Sequence, residues 1–209
     1  MRLRNIKNAQ ELLTNCPYLI KEPKNYRGKY QQLFNNNQPI HLEIGMGKGQ
    51  FIIAMAQKYQ QINFIGIEKY SNVMARAIKK INQYQLPNLR IINEDAALLE
   101  QIFNKEIVTI YLNFSDPWPK ARQVKKRLTN KLFLNIYDNI ASSKPNIIMK
   151  TDNADLFCYS ILELSQQGYV FNDLTFNMND GQRENVLTEY ETKFITEGKN
   201  IYYFNATKK

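Results

Sequence analysis

The sequence predicts an α/β fold of the Rossmann-like kind, with a mostly parallel seven-stranded sheet and helices on both faces. Two observations lead to this prediction. From residue 40 onwards, apolar runs typical of strands alternate with amphipathic runs typical of helices. The first strand, residues 40–44, is followed by Gly45, Gly47 and Gly49 and then by a helical pattern, which together form the first unit of a nucleotide-binding sheet.

The remaining elements follow in order along the chain. We expect strands near residues 40–44, 62–67, 89–92, 107–112, 145–150, 169–176 and 200–205. We expect helices near residues 49–58, 71–84, 96–101, 129–139, 153–166 and 187–196. The last two strands are separated by Gly181 and a polar loop, and we expect them to form an antiparallel hairpin at the edge of the sheet.

The chain divides into two regions of different pattern. Residues 37–209 have the length of a single α/β domain with an ample core. Residues 1–36 lie outside the sheet pattern, and proline and glycine interrupt them. Their charges are mostly positive, from Arg2, Arg4, Lys7, Lys21, Lys24, Arg27 and Lys29. We therefore expect residues 1–36 to be a basic N-terminal extension that orders on a partner.

Composition excludes several classes of protein. Hydrophobic residues make up 44% of the chain and aromatic residues 12%, which excludes disorder. The start lacks the pattern of a secretory signal, and no apolar run approaches the ~20 residues of a membrane span. Cys16 and Cys158 lie far apart and in no metal-binding spacing, so we expect reduced thiols, no metal and a cytoplasmic protein. The only histidine, His41, lies inside the first strand and is expected to be structural.

The residues around the glycine turn favour one kind of ligand. In a dinucleotide fingerprint the third glycine comes one residue later than Gly49, and the turn binds a pyrophosphate. Glu43, two residues before the first glycine, opposes a phosphate and suits an ammonium or hydroxyl donor. Glu68 ends the second strand, where a carboxylate can accept the hydroxyls of a ribose. S-adenosylmethionine has a ribose, an amino-acid end and no phosphate, and fits both carboxylates. The alternative is a tight turn that binds no ligand.

Three later positions each have a structural alternative. Asp95 follows the third strand and either accepts the amine of an adenine or caps the helix near residues 96–101. Asp152 follows the fifth strand and either caps the next helix or reaches the substrate. Residues 188–191, Thr-Glu-Tyr-Glu, open a late helix, where the acids either bind the donors of a base or are solvated at the surface.

The stretch after the fourth strand carries a second informative pattern. Asp116 precedes two prolines that stiffen the turn, and the only tryptophan, Trp118, lies between them, either packed or in contact with a base. No acid occurs from residue 117 to residue 137, whereas this stretch holds Lys120, Arg122, Lys125, Lys126, Arg127 and Lys131. Charge of one sign beside a ligand site, in a chain of net charge +9, predicts a track for the phosphates of a nucleic acid.

Together, these stretches resemble the bacterial tRNA (guanine-N7)-methyltransferase family, a class I S-adenosylmethionine-dependent family. The similarity covers nearly the whole chain, from the Met-Arg-x-Arg start through Glu-Ile-Gly-Met-Gly-Lys-Gly at 43–49, Ile-Gly-Ile-Glu at 65–68 and Asp-Ala at 95–96. It continues through Leu-Asn-Phe-Ser-Asp-Pro-Trp-Pro-Lys at 112–120, Lys-Thr-Asp-Asn at 150–153 and Thr-Glu-Tyr-Glu at 188–191. The Asp-Pro-Trp-Pro-Lys loop and the last motif are specific to the family, whereas most class I methyltransferases share the glycine motif.

The resemblance implies transfer of a methyl group from S-adenosylmethionine to N7 of a variable-loop guanosine of tRNA, guanosine 46. It implies a catalytic Asp116 and a cofactor site formed by Glu43, Gly45, Gly47, Gly49, Glu68, Asp95 and Asp116. It places on the substrate Lys120, Asp152, Thr188, Glu189, Tyr190 and Glu191, and on the RNA Arg122, Gln123, Val124, Lys125, Lys126 and Arg127. The family often has a histidine where this chain has Gln123, so we expect a weaker contact there.

The expected chemistry suits a chain with a single histidine. Guanine N7 has a free lone pair at neutral pH, so the enzyme needs no base and must instead align N7, the methyl carbon and sulfur. Asp116 can accept from guanine N1–H and N2–H₂ and offset the positive charge on the methylated ring. Two other classes stay open: a methyltransferase for another base or for protein, and a non-catalytic RNA-binding module. A nicotinamide enzyme is a more distant alternative, and monomer and homodimer are both open.

Overall fold

The computed structural model describes residue 6, residues 8–178 and residues 185–209. The predictions that concern the Met-Arg-x-Arg start, Lys7 and Gly181 lie outside these residues. The helices are α1 Ala9–Thr14, α2 Gln50–Lys58, α3 Ser71–Ile81, α4 Leu99–Ile102, α5 Lys131–Ile140, α6 Ala154–Gln166 and α7 Glu189–Thr196. The strands are β1 Ile40–Ile44, β2 Asn63–Ile67, β3 Leu89–Ile92, β4 Ile107–Asn113, β5 Ala141–Thr151, β6 Tyr169–Thr175 and β7 Tyr202–Lys208. Short 3-10 turns lie at Pro23–Tyr26, Tyr30–Leu33, Ala96–Leu98 and Ala121–Lys126.

The seven strands form one sheet in the order β3-β2-β1-β4-β5-β7-β6, which confirms the predicted fold class. The first five strands in this order, β3-β2-β1-β4-β5, pair in parallel. Strand β7 runs antiparallel to both β5 and β6, so the expected antiparallel pair is present. This pair lies at the edge of the sheet as expected, with β6 outermost and β7 between β5 and β6.

Two differences from the expected elements have local causes. Strand β5 begins at Ala141 instead of residue 145, because Ala141 already pairs with Ile107 at the start of β4, before an irregularity in the register. The helix expected at residues 96–101 is divided into a 3-10 turn and the single turn of α4.

The sheet is covered on both faces by apolar helices. Ile110 packs in a cluster with the buried side chains of α4, α5 and α6, whereas its neighbour Tyr111 packs in a second cluster with α2 and α3. Successive strand residues point to opposite faces, so the two clusters lie on opposite sides of the sheet. This arrangement leaves the carboxyl ends of the parallel strands as the edge at which a ligand can bind.

The described part of the N-terminal segment is folded against this domain. Leu13 of α1 is buried in the cluster formed by α2 and α3. The Ile20 amide donates to the Ile91 carbonyl of β3 at 2.9 Å. Tyr30 is fully buried, and its amide donates to the Glu106 carboxylate at 2.8 Å. Parts of residues 8–36 are therefore packed against the domain, and the ordering of the basic extension on a partner stays a prediction.

Candidate active site

The glycine turn between β1 and α2 leaves open space beside its backbone. Gly45, Gly47 and Gly49 have φ of 76°, 57° and 78°, a left-handed conformation that favours glycine. A Cβ atom on Gly45 would meet nothing within 4 Å, and one on Gly47 would meet only the Gly45 carbonyl oxygen, at 4.0 Å. A Cβ atom on Gly49 would lie 3.3 Å from that of Ala77. The first two glycines thus border open space, and the third lets α2 approach α3.

The Glu68 carboxylate borders this turn and is held by backbone donors. Its Oε2 accepts from the Gly47 amide at 3.1 Å, and its Oε1 accepts from the Tyr70 amide at 2.9 Å. Burial raises the pKa of Glu68, the backbone hydrogen bonds oppose that shift, and the nearby charge of Asp116 adds to it. The carboxylate is therefore fixed in place and keeps further lone pairs for a ligand.

Glu43 lies on β1 with only 3% of its surface exposed and is incompletely hydrogen-bonded. Its Oε1 accepts from Asn113 Nδ2, on the neighbouring strand β4, at 3.0 Å. Glu43 Oε2 and Asn113 Oδ1 are buried and have no hydrogen-bond partner in the described part of the chain. Burial raises the pKa of Glu43 to about 7. Two buried acceptors beside a glycine turn suit a ligand that brings N–H donors, since an unpaired buried acceptor is costly.

Asp95 lies at the same edge, after β3, and its carboxylate is occupied within the protein. Its Oδ1 accepts from the Ala97 amide at 3.0 Å, so Asp95 caps the 3-10 turn, which confirms the capping alternative. Its Oδ2 pairs with Lys69 at 2.6 Å. The cap does not exclude a second contact with an adenine, which stays a prediction.

The loop after β4 holds Asp116 at the surface beside Glu68. Phe114 and Trp118 have φ of 50° and 43°, which is uncommon for residues other than glycine and shows that the loop is constrained. Part of the constraint comes from Arg127, which donates to the Pro117 carbonyl at 2.9 Å and to the Trp118 carbonyl at 3.3 Å. Asp116 is exposed, and the charge of its carboxylate adds to the raised pKa of Glu68.

The basic residues after this loop divide into two groups. Lys120, Arg122, Lys125 and Lys126 are exposed on and beside the 3-10 turn, with Lys126 Nζ 4.8 Å from the centre of the Trp118 ring. Arg127 is only 9% exposed, and its guanidinium also stacks on Tyr159 at 4.3 Å. Gln123 and Val124 are half-buried. The Arg127 guanidinium therefore holds the loop, and its contact with RNA stays a prediction, as do the RNA contacts of the other residues.

The residues after β5 show which side chain begins α6. Asn153 Oδ1 accepts from the Leu156 amide at 2.7 Å, so Asn153 is the N-cap and the capping alternative for Asp152 is wrong. Asp152 is half-exposed at the carboxyl end of β5. Its contact with a substrate stays a prediction.

The start of α7 combines two buried residues with two that reach the surface. Thr188 and Glu191 form a capping box, in which the Glu191 amide donates to Thr188 Oγ1 at 2.9 Å and the Thr188 amide donates to Glu191 Oε2 at 3.2 Å. Their side chains therefore build the helix end, so surface solvation is wrong for Glu191, whereas a substrate contact of Thr188 and Glu191 stays a prediction. Tyr190 is 47% exposed, and Glu189 pairs with Lys48 of the glycine turn at 2.5 Å.

Helix α7 also contacts the loop after β4. The Phe114 ring lies 6.0 Å from that of Tyr190 and 5.7 Å from that of Phe194. Together with the pair of Lys48 and Glu189, these rings bring the start of α7 to the edge at which the carboxyl ends of the strands meet.

One buried residue of this region was not assigned a role from the sequence. Lys150 of β5 is 3% exposed, and its ammonium donates to Asn185 Oδ1, to the Val186 carbonyl at 3.0 Å and to Glu191 Oε2 at 3.1 Å. Burial lowers the pKa of Lys150, and the Glu191 carboxylate opposes that shift. The sequence signal was a lysine near the end of an apolar strand, but its partners lie more than 30 residues away.

Comparison with known proteins identifies a family model and close relatives. A family model described as "Putative methyltransferase" matches residues 37–204. A tRNA (guanine-N(7)-)-methyltransferase of Oceanobacillus iheyensis is 48% identical over 209 residues, with 99% of this chain and 98% of the relative covered. One of the same name from Geobacillus thermodenitrificans is 45% identical, with 100% and 98% covered.

Solved structures show the same fold at low identity. An antibiotic-related methyltransferase has a TM-score of 0.62 at 17% identity, with 86% of this chain and 92% of that chain covered. A SAM-dependent methyltransferase from Aquifex aeolicus has a TM-score of 0.53 at 11% identity, with 97% and 99% covered. Among the described residues, no helix has the length and apolar character needed to cross a membrane.

Proposed function

The chain belongs to the tRNA (guanine-N7)-methyltransferase family, and from this premise we propose how its residues bind S-adenosylmethionine and a guanine of tRNA. The protein is an S-adenosylmethionine-dependent enzyme that methylates guanine N7 in tRNA. We further propose that the target is guanosine 46 in the variable loop, that residues 37–209 form the catalytic domain, and that the enzyme works in the cytoplasm.

The observation that supports the cofactor site most directly is the pair of unmet buried acceptors, Glu43 Oε2 and Asn113 Oδ1. An ammonium group carries three N–H donors and a positive charge, and so matches both acceptors. The open space along Gly45 and Gly47 accommodates a ligand close to the backbone. The fixed carboxylate of Glu68 suits the two hydroxyls of a ribose. The residues therefore fit S-adenosylmethionine, with its amino-acid end at β1 and its ribose at β2.

The protein's part in the reaction is binding and alignment. S-adenosylmethionine supplies a methyl group on a sulfonium, which is an electrophile. Guanine N7 attacks with its own lone pair, so no side chain has to remove a proton, and His41 is not required. Asp116 accepts from N1–H and N2–H₂ of the guanine. It holds N7 toward the cofactor edge, which is the edge of the sheet formed by the carboxyl ends of β1, β2 and β4. Its negative charge also offsets the positive charge that develops on the ring.

The RNA surface in this proposal begins directly beside Asp116. Lys120, Arg122, Lys125 and Lys126 are exposed and contact phosphates around the target nucleotide. Glu189 and Tyr190, at the start of α7, contact the base, as does Asp152. A base that reacts at such a site has to leave its stack.

The test is methylation of tRNA that carries no modification. A transcript is incubated with the protein and S-adenosylmethionine, digested to nucleosides and analysed by mass spectrometry. We expect 7-methylguanosine from the wild-type transcript and its loss when guanosine 46 is replaced by adenosine. If 7-methylguanosine persists in the altered transcript, the proposed position is wrong. Methylation of a different base would contradict the choice of guanine N7.

A further inference from the structure

A buried ion pair connects the sheet to the start of α7. All three N–H donors of the Lys150 ammonium have acceptors: Asn185 Oδ1, the Val186 carbonyl and Glu191 Oε2. Glu191 is 0% exposed and also accepts from Asn185 Nδ2 at 2.5 Å and from the Thr188 amide at 3.2 Å. The backbone of residues 185–188 and the first turn of α7 are thus tied to a single ammonium group.

The same lysine lies next to the proposed cofactor pocket. In the register of β4 and β5, Lys150 is directly opposite Asn113. Asn113 donates to Glu43, and the charge of Lys150 acts on Glu43 by lowering the pKa that burial raises. Lys150 therefore lies between the carboxylate that faces the cofactor and the carboxylate that caps α7.

The orientation of α7 matters because two of its residues contact loops at the carboxyl ends of the strands. Glu189 reaches Lys48 in the glycine turn, and Tyr190 lies against Phe114 of the Asp116 loop. Both depend on the capping box of Thr188 and Glu191 for their direction. A change in the ion pair would move these side chains relative to the cofactor edge.

We propose that Lys150 is a positioning residue for methyl transfer, which fixes residues 185–191 so that Glu189 and Tyr190 hold the guanine against the cofactor edge. The proposal rests on the proposed function. A buried ion pair is not needed for stability, since well-packed apolar residues are often as stabilising. A pair with every donor satisfied does, however, specify one arrangement of the segment that it joins.

The first test is a charge-neutral double variant, Lys150→Met with Glu191→Gln. The single variant Lys150→Met would leave Glu191 buried and unpaired and can prevent folding. The double variant removes both charges and the ammonium that joins the segment. We expect kcat at saturating cofactor and tRNA to fall on the order of 30- to 100-fold, because small displacements of a bound reactant have effects of that size. The Kd for tRNA should change less than about threefold, because phosphate contacts dominate it.

A second variant, Asn185→Ala, keeps both charges and removes one bond to each. We expect it to fold and to lower kcat about five- to tenfold, the effect of one typical hydrogen bond. The matched control is Lys208→Met with Asp138→Asn, an ion pair between β7 and α5 at the opposite end of the sheet. It should lower the Tm and leave kcat unchanged at a temperature well below the Tm.

The outcomes separate positioning from support of the fold. Wild-type kcat in folded Asn185→Ala and in the folded double variant would overturn the proposal, as would a loss confined to KM. An equal loss of kcat in the control would overturn it as well. If the wild type forms 7-methylguanosine and these variants do so at its rate, only this inference fails. If the wild type forms none, the proposed function fails first.

Discussion

Two acidic residues of the cofactor edge differ in how their carboxylates are satisfied. Glu68 accepts from two backbone amides, whereas Glu43 accepts from one side chain and keeps a buried oxygen without a partner in the described residues. Burial raises the pKa of both carboxyls, and in Glu68 the hydrogen bonds from backbone amides oppose that shift. The two residues should therefore respond differently to pH and to substitution.

The first prediction concerns the pH dependence of cofactor binding. The pKa of Glu43 is raised from 4.5 to about 7, so the carboxyl is protonated below pH 7 and cannot pair with an ammonium. Affinity for S-adenosylmethionine should fall by up to about tenfold per pH unit as the pH falls below 7. Calorimetry between pH 5.5 and 7.5 would measure it, in buffers of ~0.1 M ionic strength.

The variant Glu43→Gln is the control for that dependence. It should bind the cofactor weakly, and its affinity should depend much less on pH below pH 7. Any pH dependence that remains should come from Glu68. Because an acid with a raised pKa destabilises the fold as the pH rises from 4.5 to 7, the variant should be at least as stable as the wild type at pH 8. A slope equal to that of the wild type would assign the titration to another group.

The second prediction is that Glu68→Ala weakens S-adenosylmethionine binding by ~1.5–3 kcal/mol, the scale of hydrogen bonds to a charged group. The two backbone amides that Glu68 accepts from would also lose their partner. Calorimetry gives the affinity, and Glu11→Ala, on the exposed surface of α1, is the control. Unchanged affinity in Glu68→Ala would remove Glu68 from the cofactor site.

The third prediction is that Asp116→Asn folds normally and loses at least ~10²-fold in kcat/KM, which corresponds to about 2.7 kcal/mol. The amide offers one acceptor where the carboxylate offers two, and its NH₂ faces a guanine donor. The negative charge that offsets the methylated ring is also lost. The assay is methylation at saturating cofactor, with cofactor affinity measured separately. A variant with the wild-type rate would show that Asp116 only shapes the turn before Pro117.

At the scale of elements, the loop after β4 and helix α7 act together. The left-handed Phe114 and Trp118 and the buried Arg127 give the loop one conformation. Phe114 then packs on Tyr190 and Phe194 of α7. The exposed basic turn, Ala121–Lys126, follows directly, so the proposed phosphate track is joined to this constrained loop.

The fourth prediction tests that track. Replacing Arg122, Lys125 and Lys126 by glutamine should weaken tRNA binding and leave cofactor affinity unchanged. Each lost phosphate contact should flatten the slope of log K against log salt concentration by ~0.7–0.9. Lys105, Lys144 and Lys209, near the opposite end of the sheet, provide a control with the same loss of charge. If both triple variants have the same slope, the turn has no special part in RNA binding.

At the scale of the whole molecule, the N-terminal segment completes the core. Tyr30 is fully buried, packs on Phe103 at 4.5 Å and donates from its hydroxyl to the Pro23 carbonyl at 2.9 Å. The Glu106 carboxylate accepts from the amides of Gly28 and Tyr30 at the start of β4. We therefore expect the segment to unfold together with the domain, although the family model begins at residue 37.

The fifth prediction is that Tyr30→Ala lowers the free energy of unfolding by ~3–5 kcal/mol, the cost of removing a large buried aromatic side chain. Urea denaturation followed by circular dichroism measures the change. Tyr84→Ala, at an exposed position after α3, is the control. A loss below ~1 kcal/mol for Tyr30→Ala would mean that the segment is separable from the domain.

The sequence by itself determined the sheet, the glycine turn and the positions of Glu43, Glu68 and Asp116 at the ends of strands. These features depend on local patterns: the alternation of apolar residues, glycines with positive φ, and prolines after a strand. The boundaries of β1, β2, β3, β4 and β6 agree to within one residue for the same reason, whereas those of β5 and β7 differ by more. The family motifs lie in these local patterns.

Only the tertiary structure decided which charged residues have partners inside the protein. Arg127 ends a basic run but lies inward on Tyr159, and Glu191 pairs with Lys150 across 41 residues. Asn153, and not Asp152, caps α6. Whether a charged side chain is solvated, caps a helix or pairs in the interior depends on partners brought together by the fold, and no local pattern contains those partners.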